Sequence, residues 1–306
     1  MTLKEKLSAV SVWQPPAVPE DIPHGDMPGD KVQIGEDHIR KANILFPRVL
    51  EEMAKIQSDK IVLSVHGGSG VGKSETASLL GYYLRELGIG SYVLSGDNYP
   101  RRIPLYNDAE RARIFRAEGL KGLLSSGLYS PEVQESLNVL WAQELDPDPA
   151  QVETHPWLAE YQKAGRAALS GYLGTENEQD FDEINSVIAN FRSGAPSGWF
   201  KRMGRTEAER WYSSIDLRDV QVLILEWTHG GSAHLRGVDI PILLRSTPEE
   251  TREHRRSRAR DGKTDSAFTT MVLEIEQKLL DDRACFAKII LSKSGELLEI
   301  PSPAAE

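Results

Sequence analysis

The sequence predicts an α/β fold: a doubly wound, mainly parallel five-stranded sheet with a helical insertion. Three observations predict it. Short apolar runs recur along the chain. Helical patterns lie between them, as in parallel sheets. The first run also leads through a glycine-rich turn into an amphipathic helix.

In chain order, the first ~30 residues are proline-punctuated at Pro15, Pro16 and Pro28 and read as an irregular arm. Ile39, Ile44, Leu45, Val49 and Met53 predict a helix over Asp37–Ala54, with Pro47 near a bend. Ile61–Val65 reads as a buried strand. Ala77, Leu80, Leu84 and Leu87 share one face of the next helix, which Gly88 and Gly90 end. Tyr92–Leu94 is the second strand, Val220–Leu225 the third, Ile240–Leu244 the fourth and Ile289–Leu291 the fifth. No strand is expected between Asn107 and Glu209, where helical patterns such as Ala109–Leu124 and Val133–Leu145 dominate. The expected organisation is an arm and helix over 1–59, then one domain over 60–306 carrying the insertion at about 100–215. That insertion either adds stability, or forms an oligomer interface such as that of a homodimer, or encloses a second substrate.

Composition narrows the function. The formal net charge of −10 speaks against broad nucleic-acid binding, which needs basic surface to replace phosphate counterions. No apolar run approaches the ~20 residues of a membrane span, and no secretory leader is expected. Cys285 is the single cysteine, so no internal disulfide can form, in keeping with a cytoplasmic protein.

Gly67-Gly68-Ser69-Gly70-Val71-Gly72-Lys73-Ser74 fits G-x-x-x-x-G-K-[ST] between a strand and a helix. Glycines let the backbone wrap an anion. The helix start adds positive potential. Lys73 supplies charge for the β- and γ-phosphates of ATP, and the Ser74 hydroxyl suits Mg²⁺. This is the signature of the P-loop NTPase fold.

Three further features favour a kinase over other nucleotide-binding proteins. Asp97 ends the second strand, where it can accept a proton from an attacking hydroxyl or hold Mg²⁺. Glu226 directly follows the third strand, a second candidate for the metal. Thr247-Pro248-Glu249-Glu250 is a helix start. It leads into Arg252, Arg255, Arg256, Arg258 and Arg260 and a loop containing Gly262. Arg252, Arg256 and Arg260 share a face and read either as a solvated charged surface or as a lid over a transferring phosphoryl group. Guanine-reading N-K-x-D and L-S-G-G-Q motifs are both absent.

These residues resemble the uridine kinase and phosphoribulokinase family of P-loop kinases. The cradle is similar to that family's G-G-S-A-S-G-K-T, and Ser95-Gly96-Asp97-Asn98-Tyr99 to its S-x-D-x-F-Y segment. Phe181-Asp182 with Gly194 resembles its F-D…G stretch, and Arg255-Arg256 with Arg260-Asp261 its R-R…R-D lid. The likeness covers roughly 60–100 and 180–295. Trp227 stands where the family has glycine after the acid, and the Gly96-Asp97-Asn98 segment also resembles adenylylsulfate kinases. The resemblance implies Asp97 as catalytic base.

The expected activity is transfer of the γ-phosphoryl group of ATP, with Mg²⁺, to a hydroxyl of a small molecule. Lys73, Arg256 and Arg260 would assist Asp97. Tyr99, Arg101, Arg102, Asp182, Arg202, Arg205 and His229 are candidate acceptor contacts, and the arginines would suit an anionic acceptor. The rivals are a nucleotide-dependent regulatory switch with a protein partner, and a kinase acting on a protein side chain.

Overall fold

The computed structural model describes residues 2–10, 12–29, 32–258 and 266–303. The arm is not wholly irregular: it opens with helix α1, Leu3–Ala9. Thr2 Oγ1 accepts from the Glu5 amide at 3.2 Å, and the Glu5 carboxylate accepts from the Thr2 amide at 2.9 Å. This reciprocal cap starts a helix too short to show a periodic stripe. Helix α2, Glu36–Ala54, carries Pro47 inside it.

A six-stranded sheet forms the centre. Strand β1 (Ile61–Gly67) leads into α3 (Lys73–Glu86), which returns to β2 (Ser91–Ser95). After a long excursion come β5 (Val222–Glu226), β6 (Ile240–Arg245) and β7 (Ile289–Ser292). The order is β2-β5-β1-β6-β7-β8, parallel except for β8 (Leu297–Leu298), which is antiparallel to β7. The expected five strands therefore become six. A two-residue strand is too short to carry an alternation signal. With β5 and β6 flanking β1, the chain reverses direction across the sheet at β1. The carboxyl end of β1 is thus a topological switch point, where open α/β sheets bind ligands.

Alternation sorts the strand side chains into two layers. Ile61, Leu63 and Val65 of β1 join a core with α2 and α3, including Phe46, Leu80 and Tyr83. Val62, Leu223 and Leu225 face the other side, onto helix α7 (Phe181–Arg192) and Phe200.

The excursion is helical through α4 (Pro104–Ser125), α5 (Pro131–Gln143) and α6 (Leu158–Ser170). Their core, including Phe115, Leu137 and Tyr161, also takes in Met271, Val272 and Ile275 of α9 (Ala267–Arg283). The expectation of no strand before Glu209 is corrected. Strand β3 (Ser197–Met203) pairs antiparallel with β4 (Arg210–Asp216). Its signal is masked because Lys201 and Arg202 are buried, while Trp199 is 68 % exposed. Helix α8 spans Arg252–Arg258. Among the described residues, no helix is long and apolar enough to cross a membrane.

Candidate active site

The glycine-rich loop closes the switch point. Gly72 caps α3 at φ 98°, in the left-handed region that glycine tolerates best. Gly70, at φ 77°, lies so close to α8 that a Cβ there would stand 2.9 Å from Arg255 Cγ. Lys73 folds back over the loop, its Nζ donating to the Gly68 carbonyl at 3.1 Å. The expected cradle residues Gly67, Gly68, Ser69, Gly70, Val71, Gly72, Lys73 and Ser74 thus run contiguously from the end of β1 into the first turn of α3.

Ser74 donates to Glu226 Oε2 at 2.9 Å, and Ser95 donates to Glu226 Oε1 at 3.0 Å. The sheet register puts Glu226 opposite both Val65 and Ser95, so one buried carboxyl joins the ends of β1, β5 and β2. Burial, then the charge of Asp97, pushes the Glu226 carboxyl up to about 7, against Lys73 and the two serine hydroxyls. Hard oxygen donors of this kind suit Mg²⁺. A divalent cation would also offset the buried acid. Ser74 and Glu226 therefore offer oxygen donors of the kind the expected ion takes, with the Asp97 charge near enough to act on the Glu226 carboxyl. Among the described residues, no group of three or more His, Cys, Asp or Glu side chains forms an all-protein metal cage.

Asp97 is exposed on the short turn Gly96–Asn98 that follows β2. This turn is held from behind by a residue the sequence did not flag, Asp26 of the arm. Its carboxylate accepts from the Ser95 amide (2.8 Å), the Tyr92 hydroxyl (2.8 Å) and Asn98 Nδ2 (3.1 Å). It also pairs with Arg202 at 2.8 Å. Asn98 Oδ1 in turn accepts from the Met203 amide at 3.0 Å. A lone Asp in a proline-rich segment gives no pattern that would have marked it.

The candidate acceptor contacts divide. Arg202 is buried and committed to Asp26 and the Tyr92 hydroxyl. Arg101 donates to the Glu176 carbonyl at 2.6 Å and pairs with Asp180 at 3.4 Å. Arg102 donates to the Tyr172 hydroxyl at 3.0 Å. Arg205 and Asp182 are exposed, and Tyr99 is fully buried. The strand-like pairing of Pro100 with Gln179 draws the 99–102 segment against 178–180. His229 stands edge-on to Trp227, ring centroids 5.2 Å apart, and against Gly174. Burial, with Arg111 and Lys73 nearby, pulls its imidazole down to about 4 against the pull of Glu178, so it is neutral at physiological pH.

Glu178, Arg111, Asn107 and Glu276 were not expected from sequence; they form a connected polar cluster, of which Glu276 lines the cleft beside the glycine-rich loop. Glu178 accepts from Arg111 Nε (2.6 Å), Asn107 Nδ2 (3.1 Å) and the Gly174 amide (2.7 Å). Burial raises its carboxyl, but Arg111, His229 and the hydrogen bonds outweigh that and leave it below the usual range. A spacing of four between Asn107 and Arg111 is the only sequence signal, and it looks like any charged helix face.

In the expected lid, Thr247 and Glu250 form the reciprocal cap, at 2.7 and 3.2 Å. Arg252 pairs with Glu249 at 2.6 Å, Arg255 donates to the Pro248 carbonyl at 2.8 Å, and Arg256 is exposed. Arg260 and the loop containing Gly262 lie outside the described residues. A narrow cleft between loop and helices is lined by Gly68, Ser69, Pro248, Thr251, Glu276 and Gln277.

Fold and site together define an α/β protein with a mainly parallel sheet and a glycine-rich strand–helix junction at its switch point. The bifunctional alpha-galactosidase/sucrose kinase AgaSK of Mediterraneibacter gnavus is 35% identical over 267 residues, which cover 87% of this chain and 24% of that protein. The chain thus spans about a quarter of the length of this relative. Among solved structures, D-glycerate 3-kinase from Cryptococcus neoformans is similar with a TM-score of 0.47 at 10% identity, over 88% of this chain and all of that one. A possible uridine kinase from Bacillus stearothermophilus gives 0.44 at 13% identity, over 82% of this chain and 96% of its own. No family model matches.

Proposed function

We propose that the chain is an ATP-dependent kinase that phosphorylates a hydroxyl of a small molecule, a sugar being the class favoured. The observation that carries this reading is the linkage of Ser74, Glu226 and Ser95, which ties the phosphate cradle to the turn bearing Asp97. The relative named for two activities adds support. A glycine-rich cradle serves phosphoryl transfer, whereas glycoside hydrolysis calls for two carboxylates flanking a glycosidic bond. Of that relative's two named activities, the kinase is the one these residues suit.

In this reading loop amides and Lys73 hold the β- and γ-phosphates. Lys73 exchanges its bond to the Gly68 carbonyl for phosphate oxygen. The acceptor hydroxyl lies against Asp97. Its oxygen bonds to the γ-phosphorus as the bond from that phosphorus to the β–γ bridging oxygen breaks. ADP leaves with the electron pair, and the hydroxyl proton passes to the Asp97 carboxylate. Mg²⁺, when bound, supplies positive charge to the phosphate oxygens. The protein supplies positioning and electrostatics.

The test is ADP formation by purified protein over a panel of metabolites. Acceptor-dependent ADP release is expected, and it should be lost in Lys73→Ala with the fold intact by circular dichroism. Slow release independent of every acceptor would favour a nucleotide-dependent switch instead.

A further inference from the structure

Beside the cradle, the structure buries a polar cluster that the phosphates do not require. Arg111 of α4 is clamped by Glu178 at 2.6 Å and reaches Glu276 of α9 at 3.6 Å, with Asp108 at 3.7 Å. Their side chains are 15 % (Arg111), 0 % (Glu178) and 13 % (Glu276) exposed. Desolvating such groups costs several kcal/mol per ion in general, and apolar side chains of similar size are often no worse for stability. A cluster retained here is better explained by something it binds.

Its unused bonding capacity points the same way. Asn107 is 6 % exposed, yet its Oδ1 is buried with no hydrogen-bond partner, while its Nδ2 serves Glu178. Glu276 has the ion pair with Arg111 but no hydrogen bond among the described residues, and it also lines the cleft beside Gly68 and Ser69. The His229 ring sits over Gly174, where a Cβ would stand 2.9 Å from Nδ1. Because Glu276 lines the cleft beside the glycine-rich loop, the cluster borders the place where the kinase reading puts phosphoryl transfer.

Glu178 and Glu276 oppose one guanidinium, and His229 is neutral, so an anion gains little here. A carbohydrate would suit the cluster better: its hydroxyls could donate to Glu276 and, once the Asn107 amide turns toward them, to its unpartnered Oδ1, and accept from Arg111. We propose that Asn107, Arg111, Glu178, His229 and Glu276 form the acceptor subsite of the proposed kinase, built for an uncharged polyhydroxylic compound and selective against phosphorylated or carboxylated ones. This rests on the kinase reading.

The experiment measures ADP release with sucrose and D-fructose against fructose 6-phosphate and D-gluconate, in wild type, Glu276→Gln and Asn107→Ala. Wild type should use at least one neutral sugar with kcat/KM more than tenfold above either anion. Each substitution should raise the acceptor KM roughly 10-fold or more, the scale of a lost hydrogen bond involving charge or a buried polar group. The KM for ATP should stay within about twofold. If Glu276→Gln does not fold, Asn107→Ala carries the test alone. Activity on neutral sugars with unchanged acceptor KM in the folded variants, or a preference for the anions, overturns the subsite while leaving the kinase reading standing. If all four compounds are inert, the subsite proposal fails. If the wider metabolite panel is inert as well, with ATP still bound, the kinase reading fails too.

Discussion

At the scale of single residues, Trp227 and Gly96 form one interlocked pair beside Asp97. Trp227 directly follows Glu226, and its ring is packed so tightly on Gly96 that a Cβ there would lie 2.1 Å from Cγ. The bulk at 227 is accommodated by the absence of bulk at 96, directly before Asp97. Gly96→Ala should therefore displace the Asp97 turn. We expect a loss of stability of about 1–3 kcal/mol, as for overpacked sites, with reduced kcat. Adding Trp227→Gly should recover part of the turnover, and unchanged turnover in Gly96→Ala would show that the turn yields freely. Asp97→Asn should lower kcat by roughly 10²-fold with ATP affinity little changed, read by steady-state kinetics and nucleotide titration. The places of Lys73, Ser74, Asp97 and Glu226 in the fold were legible because each has a fixed offset from a strand end. Glu276, Glu178 and Asn107 were not, since acids and amides on helices or loops resemble solvated surface until the fold folds them inward. Arg202 was misjudged for the converse reason: nothing near it in sequence discloses that Asp26 neutralises it.

At the scale of elements, the arm acts as a buttress. Asp26 ties β2, the Gly96–Asn98 turn and β3 together. Trp13 packs against both Phe46 of α2 and Tyr83 of α3, with ring centroids 4.9 and 5.2 Å away. Asp26→Ala leaves a buried guanidinium without its counter-charge. Such losses run to about 3–5 kcal/mol, and the midpoint of urea unfolding should fall accordingly. An unshifted midpoint would mean that Arg202 finds water or another acid. Strongly periodic helices such as α2 could be located within a residue from sequence alone, because core packing repeats along them. The β3–β4 hairpin could not, because buried cations at Lys201 and Arg202 and exposed aromatics at Trp199, Trp211 and Tyr212 break the apolar–polar alternation that marks a strand.

At the scale of the whole molecule, acid should unfold the protein through neutral histidines. His66 is held down to about 3 by burial and by Lys73, and His229 to about 4 by burial first. The unfolded chain binds these two protons below its ordinary value of 6.5, whereas the folded chain refuses them. Stability is therefore intact above about 6.5 and declines as pH falls toward 4, by up to about 1.4 kcal/mol per pH unit for each histidine. Calorimetry from pH 7 to 5 should show a shallower decline for His66→Gln than for wild type, and parallel declines would refute the assignment. The order of strands also sets a timetable. Among the described residues, β2 is hydrogen-bonded within the sheet only to β5, so Ser95 waits for Glu226, which follows 131 residues later. A chain emerging from the ribosome can form β1, the cradle and α3 early, yet has no seat for the Asp97 strand until Val222–Glu226 has been synthesised. At ~5–20 residues per second the glycine-rich loop is in place roughly 7–26 s before the partner of the Asp97 strand is made, and the unpaired edges of β1 and β2 are the surfaces a chaperone would meet in that interval.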